Sequence, residues 1–210
     1  GGILIFLLIA PLFLSPYILG LLTQVLIFGL LAMSLDILVG FVGLASLGHA
    51  AFLGVGAYST AILVTQYGFG FWGALGCTIL ICILAAALCG LVALRATGVY
   101  FLMITLALAM LVWGLAYRWS TLTKGDNGIS GIARPDLGLP WSMAVETHYF
   151  YFVLAVFLIS FLALYLLVRS PFGYSLIGIK DSESRMQSLG YNTWLNKYVA
   201  YILAGVFGGL

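Results

Sequence analysis

WGALGCTILICILAAALCGLVAL, residues 72–94, runs for 23 residues without one charged side chain. Coiled as a helix at 1.5 Å per residue, such a run is about 35 Å long, enough to cross a hydrocarbon core about 30 Å thick. Working outward from it, runs of comparable length and apolarity cover 3–19, 20–39, 46–66, 98–119 and 148–168, and a seventh begins at 198. Pro11 and Pro16 interrupt the first of these. The pattern predicts an all-α, polytopic transmembrane helical bundle, with residues 1–210 forming a single domain of about six complete spans plus the start of a seventh.

Composition agrees. Of 210 residues, 64% are apolar and 7% charged, and the mean hydropathy is +1.20. A water-soluble chain needs charged surface, typically about 25% of its residues, whereas lipid-facing surface is as apolar as the interior it covers. Eight Lys and Arg against six Asp and Glu give a net charge of +2, too weak a basic field for nucleic acid. Cys77, Cys82 and Cys89 fall within one apolar run, so they build no disulfide framework and read as packing or lipid-facing residues. The chain opens without a basic segment before its first apolar run, so that run is expected to stay in the membrane. The last stretch, 199–210, is about half a span and reads as a chain cut mid-helix at its C-terminus.

Short connections at 67–71 and 95–97 leave two polar loops, 120–147 and 169–197, and no room for an extramembrane domain. The second holds Arg169, Lys180, Arg185 and Lys197, half of the basic residues, which places it in the cytoplasm. Counting back by spans puts Arg95 and the N-terminus inside and the 120–147 loop outside. Trp72, Trp113, Trp119, Trp141, Tyr67 and Tyr149 then lie near the outer ends, where an interfacial aromatic belt belongs.

Three stretches carry candidate function. In GLASLGHAAFLGVGAY, residues 43–58, Ser46, Ala50 and Gly54 are spaced by four beside Gly48, which suits a tight helix crossing or the lining of a translocation path. His49 within it, and Asp36 thirteen residues earlier, are polar groups that must find partners or water at membrane depth. Asp36 reads as a snorkelling or capping residue near the cytoplasmic end, or, together with His49, as a proton-coupling pair. The outer loop TLTKGDNGISGIARP, residues 121–135, spaces Gly125, Gly128 and Gly131 among polar residues that include Asp126 and Asn127, which suits compact turns or docking of a partner on the outer face. It is no phosphate cradle, since no glycine-rich loop followed by Lys-Ser or Lys-Thr occurs in the chain. No metal-ligand spacing or nucleophile motif is present either.

The third stretch is SPFGYSLIGIKDSESRMQSLGYNTWLNKY, residues 170–198. Pro171 and Gly173 are expected to stop the preceding span. Asp181 or Ser182 caps a helix of about two turns, and Gly190 ends it. A short helix of that composition anchors to lipid or is gripped by a soluble partner.

Here the sequence resembles the coupling region of ABC importer permeases, in which a Glu, small residues and a later Gly form the helix that enters a cleft of the ATPase. ESRMQSLG, residues 183–190, is the counterpart, with Ser184 and Arg185 where two alanines are common. Together with SPFG, GHAAFLGVGAY (48–58), GVYFLMITLALA (98–109) and GDNGISG (125–131), it is similar to the branched-chain amino acid transport permease family, and within that to the M-type subunit. The resemblance covers essentially the whole chain. It implies a fold like the type II, vitamin B12 importer class of permeases, here C-terminally truncated. It implies a multi-pass protein of the bacterial inner membrane working with a second related permease, two cytoplasmic ATPases that bind ATP and Mg, and a periplasmic substrate-binding protein, with no cofactor on this chain. Its cargo would be branched-chain amino acids or a related small polar nutrient such as urea or amides. Glu183, Ser184, Leu189 and Gly190 match the coupling segment. Asp36, Ser46, His49, Tyr58, Tyr100 and Thr105 are candidates for the translocation path, and Gly125, Asp126, Asn127, Gly128 and Gly131 for the periplasmic partner loop. The competing reading is a proton-coupled secondary transporter that uses Asp36 and His49.

Overall fold

The computed structural model describes residues 2–129 and 145–210, and helix is the only regular structure among them. The first two expected spans divide elsewhere than hydropathy suggests. α1 covers Gly2–Phe13 and α2 Pro16–Asp36, with Ser15 extended between them. A proline biases its predecessor towards extended backbone and is itself pre-set for the first position of a helix, so Pro16 starts α2 where the apolar count saw continuity. Twelve residues rise about 18 Å, so α1 is short of a full crossing.

α2 continues as a π-helical turn over Ile37–Val42, closed by Gly43 at φ +78°. The chain then runs without helix until α3, Ala50–Thr65. The expected span over 46–66 is therefore helical only from Ala50, and Ser46 and His49 sit on the unwound approach to it. α4 (Phe71–Ala93), α5 (Val99–Arg118) and α7 (Glu146–Val168) match the expected spans to within two residues at each end. Among the described residues, four stretches are by length and composition able to cross a membrane: Pro16–Val42, Phe71–Ala93, Val99–Arg118 and Glu146–Val168. A four-residue helix α6, Ser120–Thr123, and a 3-10 turn, Gly125–Asn127, follow α5.

The expected polar loop over 169–197 is mostly helical. α8 covers Pro171–Asp181, α9 covers Glu183–Ser188, and α10 begins at Thr193 and runs to Gly209. Pro171 and Gly173 do not merely stop α7. Pro171 occupies the first turn of α8, and the Ser170 hydroxyl accepts the Gly173 amide as its cap.

Lipid gives apolar helices no hydrophobic reason to associate, so close van der Waals contact has to hold them. Cys82, Ala86 and Gly90, four apart on α4, meet Tyr201, Gly205 and Gly209, four apart on α10. A Cβ on Gly205 would come within 2.6 Å of that of Ala86. α3 closes on the same helix, since a Cβ on Gly56 would collide with the Gly209 carbonyl. α10 thus packs against α2, α3 and α4 and buries Ala200, Tyr201 and Ala204 in the larger core. The expected small-residue ridge is displaced by this arrangement: Gly54 has nothing within 4 Å of a built Cβ, and the close approaches fall on Gly48 and Gly56. A smaller core joins Leu19 and Leu26 of α2 to Phe150 and Leu154 of α7.

The connections gather at two ends. Gln66 donates to the Leu122 carbonyl at 2.8 Å, bringing the turn after α3 beside α6. At the opposite end, Lys180 of α8 donates to the Gly40 carbonyl of the π turn.

Candidate coupling helix and unwound segment

α9 is built by local sequence. Ser182 is extended, at φ −160° and ψ 99°, and its hydroxyl accepts the Arg185 amide. At the far end the Tyr191 amide donates to the Met186 carbonyl and the Gly190 amide to that of Gln187, with Gly190 at φ +87°. Those two bonds form a Schellman cap, which requires the left-handed residue that glycine adopts without strain. Capping by Ser182 and termination by Gly190 follow the sequence expectation, although the helix is six residues long.

The four residues matched to the coupling segment are all placed on α9 or its cap. Glu183 pairs with Lys197 of α10 at 2.6 Å, tying α9 back to the bundle. The Lys197 hydrogen bond holds its carboxyl below the ordinary value of 4.5, with help from the Lys197 charge and Thr193, against partial burial. Ser184 is exposed, and the Ser188 hydroxyl donates to its carbonyl at 3.0 Å. Leu189 is 68% exposed at the tip, flanked by exposed Gly190 and Tyr191. An apolar side chain held out beyond a capped polar helix is shaped for insertion into a partner or a membrane surface.

The translocation candidates fall into two groups. His49, 3% exposed, places Nε2 2.8 Å from Ser34 Oγ of α2. The Ser34 hydroxyl donates to the Leu31 carbonyl at 2.7 Å, which leaves the Nε2–H to donate to Ser34 and Nδ1 as a bare acceptor. Nδ1 and the buried Ser46 hydroxyl have no protein partner among the described residues. Gly208 of α10 closes over the Ser34–His49 pair: a Cβ there would lie 3.1 Å from Nε2 and 3.2 Å from Ser34 Oγ. Thr105, also buried, accepts the Leu47 amide at 3.3 Å while donating to the Leu102 carbonyl at 2.9 Å. A Cβ on Gly48 would run into the Thr105 carbonyl. Ser46, His49 and Thr105 thus converge on the unwound segment, and irregular backbone at such depth is tolerated only where protein or a water-filled cavity surrounds it.

Asp36, Tyr58 and Tyr100 stand apart. Asp36 is exposed and lines a cleft of about 460 Å³ between the end of α2 and α7, with Met33, Phe41, Phe161 and Tyr165. No ion pair or hydrogen bond joins it to His49 among the described residues, so the proton-coupling pair is not assembled. Tyr58 is half-buried on α3, and Tyr100 is 74% exposed at the start of α5.

In the loop after α5, Lys124, Gly125 and Gly128 all have positive φ, and the Thr123 hydroxyl donates to the Trp119 carbonyl at 2.8 Å and accepts the Gly125 amide at 3.3 Å. Asp126 and Asn127 lie in the 3-10 turn there. Gly131 lies outside the described residues. Sequence reasoning missed Ser34 and Lys180: a single serine in a span carries no periodic signal, and Lys180 was counted only as a cytoplasmic charge.

Residues 17–210 match the family described as branched-chain amino acid transport system, permease component. Two curated relatives are the high-affinity branched-chain amino acid transport system permease proteins LivM of Salmonella typhimurium LT2, 30% identical, and of Escherichia coli K12, 29% identical. Each alignment covers 89% of this chain and 49% of the relative, so the chain spans about half the length of these relatives. No solved structure matches. The order of the motifs, the helical bundle and the match over nearly the whole chain agree: this chain belongs to the permease component family of the branched-chain amino acid transport system.

Proposed function

We propose that the chain works as the M-type permease subunit of an ATP-driven ABC importer of the bacterial inner membrane, carrying branched-chain amino acids or a related small polar nutrient such as urea or amides. The capped helix α9, with Leu189 projecting from its end, carries this reading. It is a short polar helix held between two longer ones, and it lies at the same end of the bundle as Arg95, Arg169, Lys180 and Lys197. On this reading that end is cytoplasmic and the α6 loop is periplasmic. The bundle would resemble the type II permeases, pair with a second permease, and receive cargo from a periplasmic binding protein docking near Gly125, Asp126, Asn127 and Gly128. ATP and Mg would be bound on two partner ATPases.

The mechanism is mechanical. Closure of the ATPase dimer on ATP would displace α9, and α8 and α10, which flank it without a flexible linker, would pass the movement to the packed spans. Selectivity would rest mostly with the binding protein, leaving Ser46, His49 and Thr105 as a small polar wall.

Leu189→Asp tests this. Its side chain touches solvent, so folding should be retained, as judged by an unchanged melting temperature in detergent. The ATPases should no longer co-purify with the permease pair, and uptake should fall at least about ten-fold, while cargo affinity of the binding protein stays the same. Retained co-purification with retained uptake would overturn the assignment.

A further inference from the structure

We infer that Lys180 is the tie through which movement of α9 reaches the unwound segment 43–49, a role that rests on the coupling reading above. α8 and α9 form one unit. Ser182 ends the first and caps the second, and Met186 of α9 folds back over Gly178 of α8, where a Cβ would come within 2.8 Å of its sulfur. The unit is seated in the bundle by Leu176 and Ile179, both buried. Immediately after Ile179, Lys180 crosses to α2.

That crossing meets the π turn at its weakest place. The amides of Gly43 and Leu44 both return to the Leu38 carbonyl, so the carbonyls nearest the end of the turn lack helical partners. Lys180 Nζ donates to one of them, that of Gly40, at 2.7 Å. A cation at this end also suits the negative pole of the helix dipole. The stem of the lysine lies over Gly43, where a Cβ would sit 3.1 Å from Lys180 Cγ. Gly43 therefore meets two demands, a φ of +78° and room for the lysine stem. Asp36 lies against Gly40 as well, yet no ion pair joins it to Lys180 among the described residues. The ammonium is committed to the backbone.

Downstream of Gly43 the chain is packed but not helical, with Leu44 buried in the larger core and Gly48 closed against the Thr105 carbonyl. Leu47 is held by Thr105 and His49 by Ser34, and helix resumes at Ala50. A pull on Gly40 and Gly43 thus acts directly on the stretch that presents Ser46 and His49. An exposed lysine that merely solubilised the membrane surface would need neither a glycine beneath its stem nor a carbonyl at hydrogen-bond distance.

Lys180→Met keeps the stem and removes the donor, and Lys180→Arg restores a donor. Both would be tested in the assembled transporter in proteoliposomes, with the binding protein inside or outside as required. For Lys180→Met the ATPases should co-purify as in wild type and hydrolyse ATP within about two-fold of it, while uptake per ATP falls about ten-fold or more. Hydrogen exchange of the peptide covering 40–49 should quicken about ten-fold, a readout independent of transport. Lys180→Arg should recover most of both. Unchanged uptake per ATP, or unchanged exchange, overturns the tie, and so does loss of ATPase co-purification, which would make Lys180 a docking residue. If Leu189→Asp leaves docking and uptake intact, the coupling reading fails instead, and quickened exchange in Lys180→Met would then show a contact without a transmission role.

Discussion

Gly48 and Gly54 lie six residues apart and carry opposite expectations. Alanine at 48 would force its Cβ against the Thr105 carbonyl, and backbone does not rotate away as a side chain does. The cost should be about 1–3 kcal/mol, through displacement of α5 from the unwound segment. Alanine at 54 meets nothing within 4 Å and lies within α3, so stability should be unchanged or raised by up to about 1 kcal/mol. Melting of the purified protein in detergent decides the pair. Equal shifts would mean that the unwound segment does not pack on α5 as described. Gly56 should behave like Gly48, since its partner is the Gly209 carbonyl.

At the scale of elements, α9 is tied to α10 by one ion pair, beside a Gln187–Thr193 hydrogen bond of 3.1 Å. The Lys197 ammonium 2.6 Å away depresses the Glu183 carboxyl below 4.5. A carboxyl depressed in the folded state adds stability that is complete above its unfolded value and is lost as pH falls through the folded one. The order of α9 should therefore be constant from neutral pH down to about pH 5 and decline below the ordinary value. A spin label at Ser188 should report growing mobility on acidification, and Glu183→Gln should be mobile at every pH. Glu183 is 41% exposed, so solvent screening keeps the effect local to α9, and the global melting temperature should hardly move. A label equally mobile at pH 7 in both forms would remove the pair from its anchoring role. These elements also show what sequence carries. Hydropathy counts apolar residues, so it found α4, α5 and α7, whose ends coincide with the ends of apolar runs. It could not divide α1 from α2, because Ser15 and Pro16 interrupt an apolar count only briefly while Pro16 redirects the backbone. Breaker logic hid α8, since Pro171 reads as a stop although it stands where a helix begins. The site was half legible. Ser182 and Gly190 work locally and could be read from spacing, and Glu183 was reached only through the resemblance, whereas its pairing with Lys197, Ser34 with His49, and Lys180 with Gly40 arise only through the fold.

For the whole molecule, the paths of the spans fix which residues share a side. The start of α2 packs on the start of α7 through Leu19 and Phe150, and the end of α2 meets Leu164 and Val168 near the end of α7, so the two run in the same direction. α4 and α10 run oppositely, because Tyr198 near the start of α10 donates to Ala87 in the last third of α4 while Gly209 meets Cys82. These directions place residues 37–42, 94–98 and 182–192 at one end and residues 66–70 and 119–128 at the other. On the proposed reading the first end is cytoplasmic, since Arg95, Arg169, Lys180, Arg185 and Lys197 lie there against Arg118 and Lys124 at the other. Cysteine labelling tests both steps at once. In a background lacking Cys77, Cys82 and Cys89, Ser188→Cys and Thr121→Cys are both exposed positions. In intact spheroplasts a membrane-impermeant maleimide should modify the cysteine at 121 and spare that at 188, and in inverted vesicles the preference should reverse. Modification of both from one side would break the antiparallel arrangement of the spans. A clean exchange of the two would keep the bundle and invert the molecule in the membrane, which would place α9 out of reach of any cytoplasmic ATPase.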